Sequence, residues 1–135
     1  MRVVIDTNVL VAAAWRNRRP EALIRWLVDR RDWQWLVSAA IVNEYRSVVA
    51  RPKFGLAPDA VQAWAELVTA STTLITGLPE VTFDRDPKDA KFVACALGAG
   101  ADFLITGDAD FADPALPSQL RVISVAAFCE QFGIS

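Results

Sequence analysis

The chain has no histidine, only two cysteines and no long apolar run. Charged residues interrupt each apolar stretch before about 18 positions accumulate, so no segment is predicted to span a membrane. Cys95 and Cys129 lie in helix-like apolar patterns. They are too few for a disulfide framework, and we expect them to be reduced, buried thiols with a structural role.

Strong charge of either sign and targeting signals are also missing. A formal net charge of −2 provides no overall attraction to nucleic acid, so such a partner must be held locally. Asp6 interrupts the first apolar run too early for a secretory signal, which leads us to expect a cytoplasmic protein. A length of 135 residues without repeats or linkers predicts a single domain, residues 1–135.

Short β-branched runs alternate with amphipathic patterns along the chain. Such alternation predicts an α/β fold, a three-layer α/β/α sandwich around a central, mostly parallel sheet. The predicted strands are residues 3–5, 35–37, 73–75, 103–106 and 122–124. The predicted helices are residues 9–15, 20–31, 39–50, 58–70, 86–97 and 125–132. In an open sheet of this kind the ligand site lies beyond the carboxyl ends of the strands.

Four carboxylates stand at the ends of apolar segments or beside apolar helix faces: Asp6, Glu44, Asp89 and Asp108. Each has an ordinary structural interpretation. Asp6 suits a helix N-cap, Glu44 a solvated border position, Asp89 a capping box and Asp108 an acidic loop that also contains Asp110. Two predicted strand ends and two helix positions nevertheless face one edge of the sheet, and this shared location favours a common site.

Several carboxylates that converge would repel one another unless a cation lies between them. The chain has no histidine, and most of its lysines and arginines lie in other stretches. Mg²⁺ or Mn²⁺ is therefore the first candidate, because both ions prefer hard oxygen ligands. Such a site suits hydrolysis of a phosphodiester.

The ordered motifs resemble a PIN-domain ribonuclease, and most closely the toxin of a VapBC-like toxin–antitoxin module. The motifs are residues 3–8 (VVIDTN), Ser38 with Glu44, residues 86–92 (DPKDAKF) and residues 101–111 (ADFLITGDADF). The resemblance implies a Mg²⁺-dependent endoribonuclease that acts on RNA. It also implies an antitoxin partner and a homodimer.

The same resemblance implies roles for individual residues. The acidic metal ligands and catalytic residues would be Asp6, Glu44, Asp89 and Asp108, with Asp110 as an additional metal ligand. Asn8 and Thr106 would support the metal site as polar neighbours. Clustered arginines are candidates for contact with the RNA backbone, although solvated helix ends explain them equally well: Arg16, Arg18, Arg19 and Arg46.

Three alternatives remain open at the level of sequence. An aspartate-dependent phosphatase would also place Asp6 after the first strand, but it needs a second aspartate where this chain has Asn8. A receiver-type phospho-acceptor needs a lysine at a late strand end, where Thr106 stands instead. A catalytically degenerate PIN fold would act as an interaction module. For the tryptophans, packing is favoured over base stacking.

Overall fold

Five parallel strands form the sheet of the computed structural model, which describes residues 1–15, 18–78, 90–107 and 120–135. Their order is β3-β2-β1-β4-β5, and each of the four neighbouring pairs is parallel. Strand order reverses beside β1, which is therefore the central strand. The strands are β1 (Arg2–Ile5), β2 (Gln34–Val37), β3 (Thr72–Leu74), β4 (Phe103–Ile105) and β5 (Arg121–Ile123).

The described helix ends lie within three residues of the sequence predictions, and the predicted start of the helix over residues 86–97 lies outside the described residues. They are α1 (Thr7–Ala14), α2 (Arg18–Val28), α3 (Ala39–Val49), α4 (Pro58–Ser71), α5 (Ala90–Gly98) and α6 (Val125–Phe132). A short 3₁₀ helix at Pro52–Phe54, absent from the prediction, begins with a proline whose fixed φ suits a first helical turn. None of the described helices is long and apolar enough to cross a bilayer.

Local sequence signals explain where several helices begin. The hydroxyl of Ser38 accepts a hydrogen bond from the backbone N–H of Ile41, and Ser124 caps α6 in the same way. Both serines satisfy a backbone donor that the first helical turn leaves without a partner. Helix α4 begins at Pro58, whose missing N–H costs nothing at that position.

Helices cover both faces of the sheet and confirm the predicted three-layer fold. Val3, Val4 and Ile5 are all fully buried, although consecutive residues of a strand point to opposite faces. The same holds for residues 35–37 of β2 and for β4. By contrast, β3 is an edge strand, and Leu74 is 57% exposed.

An aromatic cluster packs at the edge of the sheet where β2 and β4 begin. Its rings are 4.6–6.0 Å apart between centroids and belong to Trp26, Trp33, Phe103, Phe128 and Phe132. The predicted packing role holds for these tryptophans and for Trp35, which is 1% exposed. Trp15 differs because it is 55% exposed and packs edge-on against Phe54. Both cysteines are free and buried, as predicted.

Candidate active site

Asp6 lies at the carboxyl end of the central strand and is only 4% exposed. It occupies the N-cap position of α1, yet its side chain makes no capping hydrogen bond. The hydroxyl of Thr106 instead donates to Oδ2 of Asp6 over 2.8 Å. The carboxylate is thus directed toward the end of β4, and the capping explanation of this aspartate does not apply.

Thr106 follows β4 directly and is 4% exposed. The backbone holds the two strand ends together, because the N–H of Asp6 donates to the carbonyl of Ile105 over 3.0 Å. The N–H of Thr106 donates in turn to Ile123 on β5. The parallel register of β1 and β4 therefore brings Thr106 to Asp6 from a position 100 residues later in the chain.

Glu44 reaches the same edge of the sheet from α3. It sits at the border of the apolar face and is partly exposed, between the buried residues Ile41 and Val48. One carboxylate oxygen, Oε2, accepts a short hydrogen bond from the hydroxyl of Thr7. Since Thr7 is the neighbour of Asp6, this bond links the acid of α3 to the acid at the end of β1.

Lys91, in the first turn of α5, contacts the other oxygen of Glu44. Its Nζ lies 2.8 Å from Oε1 of Glu44, and the two side chains are 24% and 27% exposed. Lys91 also lines a groove of about 430 Å³ whose walls come mainly from the end of β3, the residues that follow it and the start of α3. The acid site thus opens on one side toward a largely apolar groove.

Tyr45 holds the end of β1 through a hydrogen bond to its last residue. Its hydroxyl donates a short hydrogen bond to the carbonyl of Ile5 and accepts one from Trp35 Nε1 at 3.4 Å. Burial raises the pKa of Tyr45 far above its ordinary value, opposed by the Trp35 bond and reinforced by nearby acids that include Asp6 and Glu44. Tyr45 is therefore a neutral donor that fixes the residue before Asp6.

Three predicted site acids, Asp89, Asp108 and Asp110, lie outside the described residues, as does Arg16. In the sequence, Asp89 directly precedes Ala90 of α5, and Asp108 directly follows Gly107. Among the described residues, no group of three or more acidic, cysteine or histidine side chains could hold a metal. The described part of the chain contributes two carboxylates to this edge.

The donors that the structure brings together nevertheless suit a divalent ion. Asp6 and Glu44 offer hard carboxylate oxygens, and Thr7 and Thr106 orient them by hydrogen bonds. No sulfur or imidazole ligand is included, so this donor set matches Mg²⁺ or Mn²⁺ better than zinc.

The remaining predicted residues lie farther from the acids or at the surface. Asn8 is exposed in the first turn of α1. Arg46 is two positions from Glu44, on another face of α3, and donates to the hydroxyl of Thr69 on α4 over 3.1 Å. Arg18 and Arg19 are exposed at the start of α2. Arg19 lies near Cys129 of α6, where its charge opposes the burial that raises the pKa of this thiol.

Sequence reasoning missed three side chains of this site: Thr7, Tyr45 and Lys91. The position of Thr7 beside Asp6 was the one signal that could have identified it. The contacts of Tyr45 and Lys91 join residues 40 and 47 positions apart, and no local pattern indicates such pairs.

A parallel α/β sheet with a buried acid after its central strand defines a class of proteins with an acidic site at the carboxyl edge. The particular family follows from comparison with known proteins. The model of the PIN domain family matches residues 2–110, and the chain belongs to this family.

A solved structure supports the fold. The crystal structure of VapBC2 from Rickettsia felis, bound to a DNA fragment from their promoter, matches with a TM-score of 0.65. The match has 16% sequence identity and covers 92% of this chain and 98% of the other. A comparison with curated proteins gave no match.

Proposed function

We propose that this PIN-domain protein is a divalent-metal-dependent endoribonuclease and the toxin of a VapBC-like pair. The observation that carries the proposal is the linked position of two acids. Asp6 from the end of β1 and Glu44 from α3 share one edge of the sheet through Thr7. PIN-family membership and a fold like that of VapBC2 from Rickettsia felis support it.

In this proposal, Asp6 and Glu44 hold Mg²⁺ or Mn²⁺ together with Asp89 and Asp108, and Asp110 is an additional ligand. When bound, the ion supplies Lewis acidity toward a phosphodiester. Thr106 keeps the carboxylate of Asp6 in one orientation, and Asn8 supports the site from the first turn of α1. Because Glu44 stands on α3 and Asp6 lies between the end of β1 and the start of α1, their positions are set before RNA arrives.

The proposed partners are RNA as substrate, an antitoxin chain and a second copy of the toxin. We propose the cytoplasm as the location. RNA would reach the acids across the groove that Lys91 lines. Arg16, Arg18, Arg19 and Arg46 stay candidates for contact with the RNA backbone away from the acids. Because the chain belongs to the PIN domain family, we no longer retain the aspartate-dependent phosphatase as an alternative.

One observation favours a second candidate function. The Lys91–Glu44 ion pair neutralises one acid within the chain, which is what a PIN fold without metal, acting as an interaction module, would need. Calorimetric titration with Mg²⁺ separates the two functions. The enzyme should bind the ion, whereas the interaction module should show no binding below the millimolar range.

The variant Asp6→Asn tests the proposed reaction. It removes a charge without changing volume, so cleavage of a fluorogenic RNA in Mg²⁺ should fall at least about 100-fold while the fold persists. Asp29→Asn is the matched control, because it makes the same change at an exposed position after α2 and should cleave normally. A folded Asp6→Asn protein that cleaves at the wild-type rate would show that the assignment is wrong.

A further inference from the structure

Both oxygens of Glu44 have partners within the chain. Oε2 accepts from the hydroxyl of Thr7, and Oε1 lies 2.8 Å from the ammonium of Lys91. Three elements, α1, α3 and α5, thus converge on one carboxylate. The ammonium occupies a position on Glu44 that a divalent ion would use in the proposed function.

We infer that Lys91 is a positioning residue that holds Glu44 in the metal-free protein and competes with the divalent ion for Oε1. This inference rests on the proposed function, because it assumes that Glu44 is a metal ligand. An ammonium and a divalent cation repel each other, so close contact of both with the same carboxylate oxygen is unfavourable. We therefore expect binding of the ion to displace the Lys91 side chain from Glu44.

The side chain of Lys91 is suited to such an exchange. Its ammonium sits on a flexible four-carbon stem, its side chain is 24% exposed, and the ammonium also lies 5.5 Å from the ring centre of Phe92. It also borders the groove beside β3 and α3, into which the stem can move. In this exchange the hydrogen bond from Thr7 to Oε2 keeps Glu44 beside Thr7, the neighbour of Asp6.

Two consequences follow for the metal-free and metal-bound states. Without metal, the ammonium offsets the repulsion among the acids and stabilises the fold. With metal, the same charge lowers the affinity, because the ammonium repels the ion and the ion pair opposes its binding. Lys91 thus sets the concentration of divalent ion at which the site fills.

Calorimetric titration with Mn²⁺ tests this competition in the full chain. Lys91→Met should bind Mn²⁺ roughly tenfold more tightly than the wild type, because a unit charge near a divalent ion is removed. Lys91→Arg keeps the charge, so its Mn²⁺ affinity should stay close to that of the wild type. Lys53→Met is the matched control, since it removes the same charge from an exposed position on the 3₁₀ helix and should leave the affinity unchanged.

A double-mutant cycle identifies Glu44 as the group through which Lys91 acts. In a Glu44→Gln background, Lys91→Met should change Mn²⁺ affinity by less than roughly twofold, because the oxygen for which the two cations compete has lost its charge. A full tenfold gain in that background would overturn the competition and indicate a general charge effect.

The melting temperature gives a readout without binding curves. Without metal, Lys91→Met should melt at a lower temperature than the wild type. Its melting temperature should rise more than that of the wild type when Mn²⁺ is added. If the wild type binds Mn²⁺ and Lys91→Met binds it equally or less tightly, the inference fails while the proposed function stands. If neither protein binds Mn²⁺, the proposed function fails, and the inference fails with it.

Discussion

Replacing Tyr45 with phenylalanine should destabilise the protein by about 2 kcal/mol, because one hydroxyl serves two buried groups. The change leaves the carbonyl of Ile5 without its donor and Trp35 Nε1 without its acceptor. A buried polar group that loses its partner costs about 1–3 kcal/mol. The Trp35 bond is long at 3.4 Å, so most of the cost comes from Ile5.

The corresponding change in melting temperature is measurable. For a chain of 135 residues, the unfolding entropy is about 0.3 kcal/mol per kelvin, so 2 kcal/mol lowers Tm by about 7 °C. Urea unfolding followed by circular dichroism gives the free energy of unfolding directly, provided that its slope against urea concentration is the same for the variant and the wild type.

Gln62→Ala provides the control for this measurement, since it removes an exposed side-chain hydrogen bond to Glu66 on α4. Its effect should stay within about 0.5 kcal/mol. If Tyr45→Phe also changes the unfolding free energy by less than about 0.5 kcal/mol, the hydroxyl does not anchor the end of β1, and the reasoning is refuted.

Three further predictions concern a helix cap, the acid site and a buried thiol. Ser38→Ala should cost about 1 kcal/mol in urea unfolding because Ile41 N–H loses its cap, whereas Ser47→Ala on the exposed face of α3 should not. Thr106→Val keeps the shape but removes the donor to Asp6, so Mn²⁺ affinity should fall about tenfold by calorimetry; an unchanged affinity would contradict the supporting role. Burial raises the pKa of Cys95 from 9.0 to about 11, so the unfolded chain loses this proton at lower pH than the folded one. The contribution of this thiol to the free energy of unfolding should therefore be fully present below about pH 9 and be lost toward pH 11. Cys95→Ala should reduce the slope of the unfolding free energy against pH in this range. Equal slopes would exclude the thiol as the cause.

Most of the fold could be predicted because its signals are local. The prediction for α6 agrees at both ends, and α3 begins at the predicted residue after the Ser38 cap. The strand ends deviate by at most one residue because hydrogen bonds to neighbouring strands set them. Helix α1 begins at Thr7, two residues earlier than predicted, because Asp6 is already its extended N-cap.

The candidate site was predictable only in part. The position of Asp6 after a β-branched run and that of Glu44 beside an apolar helix face indicated acids at an edge. The predicted roles of Asp89, Asp108 and Asp110 stay predictions, because these residues lie outside the described part of the chain. Helical periodicity cannot show that Lys91 would reach Glu44, since the two stand on different helices.

The sequence by itself determined which segments become helices and strands, and which of these carry an acid, because propensities, caps and apolar periodicity act within a few residues. Only the tertiary structure decided that β1 lies between β2 and β4. That order brings Thr106 to Asp6, and helix packing brings Thr7 and Lys91 to Glu44. Contacts over such separations depend on how the helices and strands together bury their apolar faces, which no single segment encodes.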